Sequence, residues 1–345
     1  MRALVYDAVG ATPEVREVAE PSCPSDGVIV EVRASGVCRS DWHAWRGHDP
    51  ITLPHIGGHE LAGVIHAVGP DVATFRVGDR VTTPFVNGCG ACAECRRGDT
   101  QVCPNQTQPG FTGPGSFAER VALHASDLNL VALPDALDFV TAAGLGCRFA
   151  TAYRALTSHG RVRPGDTVAV FGAGGVGLSA VLIARALGAR VIAADVSAAA
   201  LARARECGAE TVLVGDDPAA RVRELSDGGA DVSLDALGSP TTAAAAIRSL
   251  RRRGRHVQVG LLLGPEAQAA LPMDLVVAYE LEVHGSHGMA ARDYPAMLDL
   301  ISQQSVPLDR LLGAVIGLQE AGPALMAMDQ IASTTAGMTV IDFSR

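Results

Sequence analysis

Four cysteines crowd into fifteen residues with the spacing of a metal site. Cys89, Cys92, Cys95 and Cys103 form the pattern C-x2-C-x2-C-x7-C. Two-residue gaps let successive sulfur atoms turn inward, and four thiolates around one ion make the closed tetrahedral site of a structural zinc. An iron–sulfur run is the alternative, but that run has a three-residue gap before its last cysteine, where this chain has seven residues. We therefore expect a structural-zinc lobe over about residues 86–105.

A glycine-rich segment, GAGGVG at 172–177, follows a predicted strand and opens a predicted helix. Such a turn lets backbone amides approach a pyrophosphate at the helix N-terminus. The next strand ends at Asp195, 18 residues beyond the last glycine, where a carboxylate accepts hydrogen bonds from a ribose and repels a 2′-phosphate. Residues 196–202 contain no cation, which favours NAD over NADP. The expected cofactor contacts in the turn are Gly172, Gly174, Gly175, Val176 and Gly177.

Composition excludes several other functions. All 28 basic residues are arginine, so chemistry that needs a lysine, including Schiff bases and the Gly-Lys-Ser/Thr phosphate loop, is ruled out. The net charge of −9 lacks the basic field that attracts nucleic acid or anionic lipid. No apolar signal core follows Met1, and glycines interrupt the one long uncharged stretch, 167–184. We expect a cytoplasmic protein with no nucleic-acid or membrane partner.

The predicted secondary structure changes near residue 150, and a chain of 345 residues is long enough for about two domains. Before residue 150, short β-rich runs such as 28–32 and 61–65 predict a mostly β, partly barrel-like domain. After it, strands alternate with alanine-rich helices, which predicts a parallel sheet with helices on both faces. The arginine run at 251–255 is predicted to be a helix C-terminus closed by Gly254. The predicted strands are 167–171, 190–195, 211–214, 231–235, 255–260 and 281–285.

Three further segments complete the motifs: GVCRSDWH at 36–43, PHIGGHE at 54–60 and GCR at 146–148. Spacing alone does not join them into one site. With the cysteine lobe and the glycine-rich turn, they stand in the order of the zinc-dependent alcohol dehydrogenases of the medium-chain dehydrogenase/reductase family. The chain resembles that family from end to end. The resemblance implies an α/β protein with a GroES-like, mostly β catalytic domain (1–149 and 287–345) and a doubly wound Rossmann NAD-binding domain (150–286).

The resemblance also implies a second, catalytic metal site. Cys38, His59 and Cys147 match the ligands that hold a zinc ion and leave one position open for water or substrate. Glu60 matches a glutamate close to the metal that acts as an alternate ligand. Asp41 matches a carboxylate that orients the zinc-bound imidazole.

The implied activity is hydride transfer between an alcohol, or its aldehyde or ketone, and NAD. Arg39 matches a position that contacts the cofactor pyrophosphate. Ser40 and His43 match a relay that carries the alcohol proton to the surface by way of a cofactor ribose hydroxyl. Dimers or tetramers are usual for the family. The alternative function is a non-catalytic NAD-binding or regulatory protein on the same scaffold.

The substrate is less well specified. Ser40, where threonine is the larger alternative, leaves slightly more room beside the metal and favours branched, secondary or bulky alcohols. Primary aliphatic and aromatic alcohols remain open. Aromatic residues near the site motifs that are candidates for the pocket are Trp42, Trp45 and Phe85, and nearby histidines without an assigned role are His48 and His55.

Overall fold

The chain folds into two compact units. The structure is a computed structural model that describes residues 1–213, 215, 217–330 and 337–345. One unit comprises Met1–Ala150, Gly288–Ala296 and Leu312–Arg345, and the other comprises Thr151–His287 and Met297–Leu311. The described residues of the first unit form a two-stranded and a seven-stranded sheet, and those of the second unit form a six-stranded sheet.

The strands and helices of the described residues are as follows. The strands are β1 (Arg2–Val5), β2 (Glu14–Glu17), β3 (Val28–Val37), β4 (Glu60–Val68), β5 (Arg80–Thr82), β6 (Arg120–Leu123), β7 (Val131–Ala132), β8 (Thr167–Phe171), β9 (Arg190–Asp195), β10 (Glu210–Leu213), β11 (Ala230–Asp235), β12 (Leu250–Gln258), β13 (Glu282–Gly285), β14 (Leu312–Ile316) and β15 (Met338–Asp342). The α-helices are α1 (Arg39–Trp45), α2 (Ala93–Arg97), α3 (Ser126–Asn129), α4 (Phe139–Ala143), α5 (Ala150–Arg154), α6 (Gly175–Ala186), α7 (Ala198–Glu206), α8 (Pro218–Leu225), α9 (Pro240–Arg248), α10 (Met273–Ala278), α11 (Tyr294–Gln303) and α12 (Ala321–Ala327). Within these ranges, no helix combines the length and the apolar character needed to cross a membrane.

The second unit contains a six-stranded parallel sheet in the order β10-β9-β8-β11-β12-β13. This is the strand order of the Rossmann fold, so the predicted fold class is confirmed for this unit. The buried core on this sheet includes Phe171, Ile192 and Val222. The observed strands start or end within a few residues of the predicted ones, except that β12 begins five residues early. Val214, the last residue of one predicted strand, lies outside the described residues.

Most helices of this sheet begin at a side chain that accepts a backbone N–H. Ser197 caps α7, Asp217 caps α8 and Ser239 caps α9. Such caps satisfy amide groups that have no partner inside the helix. The helix α6 is different because its N-cap is Gly174, which has no side chain to accept these amides. The first amides of α6 are therefore left for an external acceptor.

The first unit is built on a mixed sheet in the order β14-β15-β3-β4-β5-β7, with β6 also paired to β3. All pairings in it are antiparallel except that of β14 with β15. The long strands β3 and β4 contain the predicted β-rich runs 28–32 and 61–65, and their inward residues form a buried core with Val81 and Leu123. The predicted GroES-like, mostly β class is confirmed for this unit.

The prediction for the arginine run was wrong. The helix α9 ends at Arg248, and residues 251–255 belong to β12. The register between β11 and β12 is irregular here: Ala230 pairs with Leu250, but Val232 pairs with Arg255. Arginines of the run reach carboxylates from the neighbouring strands and loops, which stabilises the extended conformation. These ion pairs are Arg251 with Asp231, Arg253 with Glu280, and Arg255 with Asp166.

Candidate active site and metal centres

Three predicted ligands from distant parts of the sequence come together in the first unit. Ligand atoms of Cys38, His59 and Cys147 all lie within 4.8 Å of one another. Cys38 follows β3 and His59 precedes β4, and these strands are antiparallel neighbours with Gly36 opposite Glu60, so strand pairing brings the two ligands together. Cys147 lies in a wide helical turn, Leu145–Phe149.

Asp41 connects the segments that carry these ligands. Its Oδ1 accepts hydrogen bonds from the N–H of Gly58 at 3.0 Å and from Nδ1 of His59 at 2.9 Å. Its Oδ2 accepts the N–H of Cys38 at 2.9 Å. The carboxylate is buried, and its bond to Nδ1 makes Nε2 the nitrogen that carries the lone pair in the neutral ring of His59. The orienting role implied by the sequence matches this geometry.

Nε2 of His59 is buried, and no described residue bonds to it. A buried nitrogen without a partner costs free energy, so such an atom needs an explanation. Nearby, the hydrogen bond from the Cys147 thiol lowers the pKa of Cys38 well below its ordinary value, and the charge of Arg148 lowers it further. The thiolate is the form of cysteine that binds metal. One imidazole nitrogen and two sulfurs therefore face a common point.

Glu60 is not part of this three-residue cluster among the described residues. Its Oε1 accepts the backbone N–H and Nε of Arg148, both at 3.0 Å, and its Oε2 accepts Nη2 of the same arginine. Both side chains are buried. Burial raises the pKa of Glu60, and the charge of Arg148 opposes that rise. Gly36 packs so closely against this ion pair that a β-carbon there would lie 2.2 Å from Oε2 of Glu60.

Aromatic rings flank the imidazole of His59. The ring centroid of Phe85 lies 6.1 Å from that of His59, and the centroid of Phe111 lies 5.2 Å from it. Trp45, in contrast, is a core residue: it is buried, and its indole N–H donates to the carbonyl of Ala11. Of the predicted pocket candidates, Phe85 is therefore beside the ligand cluster and Trp45 is not.

The predicted relay residues lie on α1, close to the same cluster. Oγ of Ser40 is 3.9 Å from Sγ of Cys38. His43 is half-buried, packs edge-on against Trp42, and has its Nδ1 2.9 Å from Nδ1 of His48. Burial and the charge of His48 lower the pKa of His43.

Arg39, the predicted pyrophosphate contact, donates to the carbonyl of Met328 at 2.7 Å. Its guanidinium also lies over the ring of Trp42, 4.8 Å from the centroid. A guanidinium has five N–H donors, so these contacts leave donors for another acceptor.

The four clustered cysteines form a second group of sulfurs. All four Sγ atoms lie within 4.8 Å of one another. The helix α2 begins after Cys92, whose sulfur accepts the N–H of Cys95 at 3.4 Å, and the N–H of Cys89 donates to the sulfur of Cys103 at the same distance. Backbone N–H groups of Ala91 and Cys92 lower the pKa of Cys89 to about 6. The loop thus favours the thiolate at Cys89, whereas burial and hydrogen bonds among the clustered thiols raise the pKa of Cys92 and Cys103.

The second unit carries the glycine-rich turn at the end of β8. Gly172 has φ of +93°, a conformation that side chains rarely adopt, and a β-carbon at Gly177 would lie 1.8 Å from the carbonyl oxygen of Gly172. A β-carbon at Gly174 would meet nothing within 4 Å, so this glycine faces open space. Asp195 stands at the end of β9, where it accepts the N–H of Ala173 at 2.7 Å and that of Ser197 at 2.8 Å.

Comparison with known proteins gives the family. Residues 24–135 match the model of the alcohol dehydrogenase GroES-like domain, and residues 175–303 match that of the zinc-binding dehydrogenases. An alcohol dehydrogenase of Geobacillus stearothermophilus is 34% identical over 311 residues, which cover 89% of this chain and 90% of that protein. The chain belongs to the zinc-binding alcohol dehydrogenase family. The resemblance inferred from the motifs is confirmed.

Solved structures of this family superpose on the whole chain. The alcohol dehydrogenase TADH from Thermus sp. ATN1 has a TM-score of 0.91 at 30% identity, with 99% of each chain covered. A structure described as an NAD-dependent alcohol dehydrogenase has a TM-score of 0.88 at 31% identity, also with 99% of each chain covered. Membership of the zinc-binding alcohol dehydrogenases makes this protein an oxidoreductase and disfavours the non-catalytic alternative.

Sequence reasoning missed three residues that the structure places beside the site. Phe111 has no motif signal, since it reaches His59 only through the fold. Arg148 was quoted within a motif, but its ion pair with Glu60 is visible only in three dimensions. His48 was set aside as a histidine without a role, and its contact with His43 depends on the turn that ends α1.

Proposed function

We propose that this zinc-binding alcohol dehydrogenase transfers a hydride between an alcohol and NAD, and that Cys38, His59 and Cys147 hold its catalytic zinc. The observation that carries the proposal is the buried, unpartnered Nε2 of His59, which shares a point with two cysteine sulfurs. Two sulfurs and one imidazole nitrogen are a ligand set of zinc sites that keep one position open. A metal ion at that point supplies the partner that Nε2 lacks.

A bound zinc ion supplies a Lewis acid for the substrate oxygen. The surrounding residues prepare its site. Asp41 fixes the ring of His59 so that Nε2 faces the two sulfurs. Phe85 and Phe111 present apolar surface on the imidazole side, which limits the access of water and suits a substrate with an apolar part.

The buried Glu60–Arg148 ion pair is next to two of the ligands in the chain, since Glu60 follows His59 and Arg148 follows Cys147. Because the carboxylate is already satisfied by three hydrogen bonds from Arg148, its role in this arrangement is to hold the Cys147 segment against the start of β4. Glu60 can bind the metal only if its carboxylate leaves the ion pair with Arg148. We propose that Glu60 acts as an alternate metal ligand in such a rearranged state of the site.

Cys89, Cys92, Cys95 and Cys103 are proposed to hold a structural zinc. Four sulfurs leave no open ligand position, so this ion stabilises the loop and takes no part in the reaction. Backbone N–H groups donate to the sulfurs of Cys92 and Cys103 and oppose the rise in pKa that burial and the neighbouring thiols cause.

The glycine-rich turn is proposed to bind the pyrophosphate of NAD. The nicotinamide ring of the same coenzyme accepts the hydride. The uncapped first turn of α6 offers amides for the phosphates, and Gly174 leaves space for their approach. The two amide bonds that Asp195 accepts hold its carboxylate in place, and its remaining lone pairs suit ribose hydroxyls. Its negative charge disfavours a 2′-phosphate, which supports the choice of NAD over NADP.

The alcohol proton is proposed to leave through Ser40 and a cofactor ribose hydroxyl to His43. Ser40 lies beside a metal ligand, and neutral His43 is able to accept a proton. Arg39 is proposed to contact the pyrophosphate with the donors that Met328 does not use.

The localisation, oligomeric state and binding partners are proposed from those usual for the family. We propose a cytoplasmic homo-oligomer, a dimer or a tetramer, that acts on a small alcohol or carbonyl compound and binds neither nucleic acid nor membranes. The domain division at 149/150 and 286/287 is also retained as a proposal, while packing groups Met297–Leu311 with the second unit.

The direct test is a panel of alcohols given to the purified, zinc-loaded protein with NAD or NADP, followed by NADH absorbance. Primary aliphatic, aromatic and secondary alcohols are all included, with secondary alcohols expected to react best because Ser40 is small. We expect turnover of at least one class with NAD and none with the Cys147→Ala variant. A wild-type protein that contains two zinc ions and oxidises no alcohol contradicts the proposed function.

A further inference from the structure

The turn that ends α1 places a second histidine directly on the relay histidine. The N–H of Gly47 donates to the carbonyl of Ala44 at 3.0 Å, and the N–H of His48 donates to the carbonyl of His43 at 2.9 Å. Gly47 has φ of +76°, so the chain reverses as in a Schellman helix end. The reversal fixes the backbone of His48 over that of His43.

The side chains of these two histidines meet as well. Their Nδ1 atoms are 2.9 Å apart, a hydrogen-bond distance, and their ring centroids are 5.2 Å apart. Both rings pack edge-on against Trp42, whose indole N–H is held by Asp329. Since two imidazole Nδ1 atoms bond only when one of them carries a proton, the pair shares one proton.

The two histidines differ in solvent exposure, and this difference indicates the direction of proton transfer. His43 is half-buried, whereas His48 is exposed. No described residue bonds to Nε2 of His43, so this nitrogen remains able to accept a proton while Nδ1 is engaged with His48. We propose that His48 is the last residue of the proton relay and passes the proton released by alcohol oxidation from His43 to solvent. This inference rests on the proposed function.

The proton balance is simple. Hydride leaves the alcohol carbon for the coenzyme, and the hydroxyl proton reaches Nε2 of His43. The N–H bond at Nδ1 of His43 then breaks as one forms at Nδ1 of His48, and His48 releases its Nε2 proton to water. Exchange with water between turnovers restores both tautomers, since His48 is exposed and His43 is only half-buried.

Charged groups around the pair are few among the described residues. Arg39 and Cys38 act on His43 from the start of α1, Asp49 follows His48, and Asp329 reaches the pair through Trp42. Burial lowers the pKa of His43, and the charge of His48 lowers it further. A lower pKa favours release of the proton from His43.

The test compares His48→Gln with wild type and with His66→Gln, which removes an exposed histidine on β4. Glutamine still bonds to Nδ1 of His43 but does not relay a proton. In dilute buffer we expect kcat of His48→Gln for alcohol oxidation to fall about tenfold, less than the roughly 100-fold effect of removing a direct general base. A hindered tertiary-amine buffer, which accepts protons and is a poor zinc ligand, is expected to restore it. His66→Gln should match wild type.

Two results overturn the relay: an unchanged kcat in dilute buffer, or a loss that the amine buffer does not restore, which indicates a structural role. A second readout needs no turnover. Nitrogen NMR of histidine-labelled, zinc-loaded protein without coenzyme should show one protonated and one bare Nδ1 in the pair, and the pKa of His43 should rise in His48→Gln. Two rings that titrate independently contradict the shared proton.

These readouts also separate the two proposals. If the wild type oxidises no alcohol, the proposed function fails, and the NMR result alone decides whether the histidines are coupled. If the wild type is active and His48→Gln is equally active, only the relay fails.

Discussion

Replacing Asp41 by asparagine should weaken the catalytic metal site with little change in shape. The carboxylate accepts three buried N–H groups, from Cys38, Gly58 and His59. Asparagine offers one oxygen in place of two. Its better orientation keeps that oxygen on Gly58 and His59, and its NH2 group then faces the N–H of Cys38.

The magnitude follows from these contacts. One buried donor left without an acceptor costs about 1–3 kcal/mol. The two bonds that remain lose the charge of the acceptor, at about 1 kcal/mol each. We therefore expect the free energy of unfolding to fall by about 3–5 kcal/mol. Loss of a partner that orients a metal-binding histidine typically lowers metal affinity about 10- to 100-fold, and we expect that range for one of the two zinc ions.

The assay is competition for zinc by a chromophoric chelator, with unfolding in denaturant measured in parallel. Asp127→Asn is the matched control, because Asp127 also accepts two backbone amides, from Ala73 and Thr74, but lies outside both sulfur clusters. Because Asp127 is exposed and solvent screens its charge, the control should lose at most about 1 kcal/mol of stability and no zinc affinity. If Asp41→Asn binds both zinc ions as tightly as wild type, Asp41 does not hold His59 for a metal.

Three further predictions concern the metal sites, the relay and the coenzyme. Cys147→Ala should retain one zinc per chain and a near-normal melting temperature but no activity, whereas Cys95→Ala should lose the other zinc and melt about 10 °C lower or more; equal effects of both changes on metal content and melting contradict two separate sites. Because burial and His48 hold the pKa of His43 below its ordinary value of 6.5, and only the neutral ring accepts a proton, kcat/KM for oxidation should fall at acid pH below that value; an acid limb that persists unchanged in His43→Gln removes His43 from the relay. Asp195→Asn should raise the ratio of kcat/KM with NADP to that with NAD by about tenfold, as expected for one charged contact, and initial rates that keep the wild-type ratio contradict the role of Asp195.

Local patterns were enough to predict the parallel sheet of the second unit. Most of its strands are short and bounded by turns, and β8 and β9 are largely apolar, so their positions follow from periodicity and glycine placement. The conformation of the arginine run at 251–255 was predicted wrongly, because it depends on carboxylates that other strands and loops bring close to the arginines. In the amino-acid sequence, a run of arginines looks the same whether it ends a helix or lies on a strand.

The candidate site divides in a similar way. The metal site of the cysteine lobe could be predicted from the spacing of its cysteines, because its four ligands come from one loop. Cys38, His59 and Cys147 are joined only by the pairing of β3 with β4 and by a distant helical turn, so their grouping came from the family resemblance. The contact of His48 with His43 depends on a helix end at Gly47, which no spacing rule connects to proton transfer.

Anomalous diffraction at the zinc absorption edge, from a crystal of the purified protein, locates each bound zinc ion. We predict two peaks per chain, one among the sulfurs of Cys38 and Cys147 and Nε2 of His59, and one among the four sulfurs of the cysteine lobe. A fully zinc-supplied crystal with no peak beside Nε2 of His59 contradicts the proposed catalytic centre.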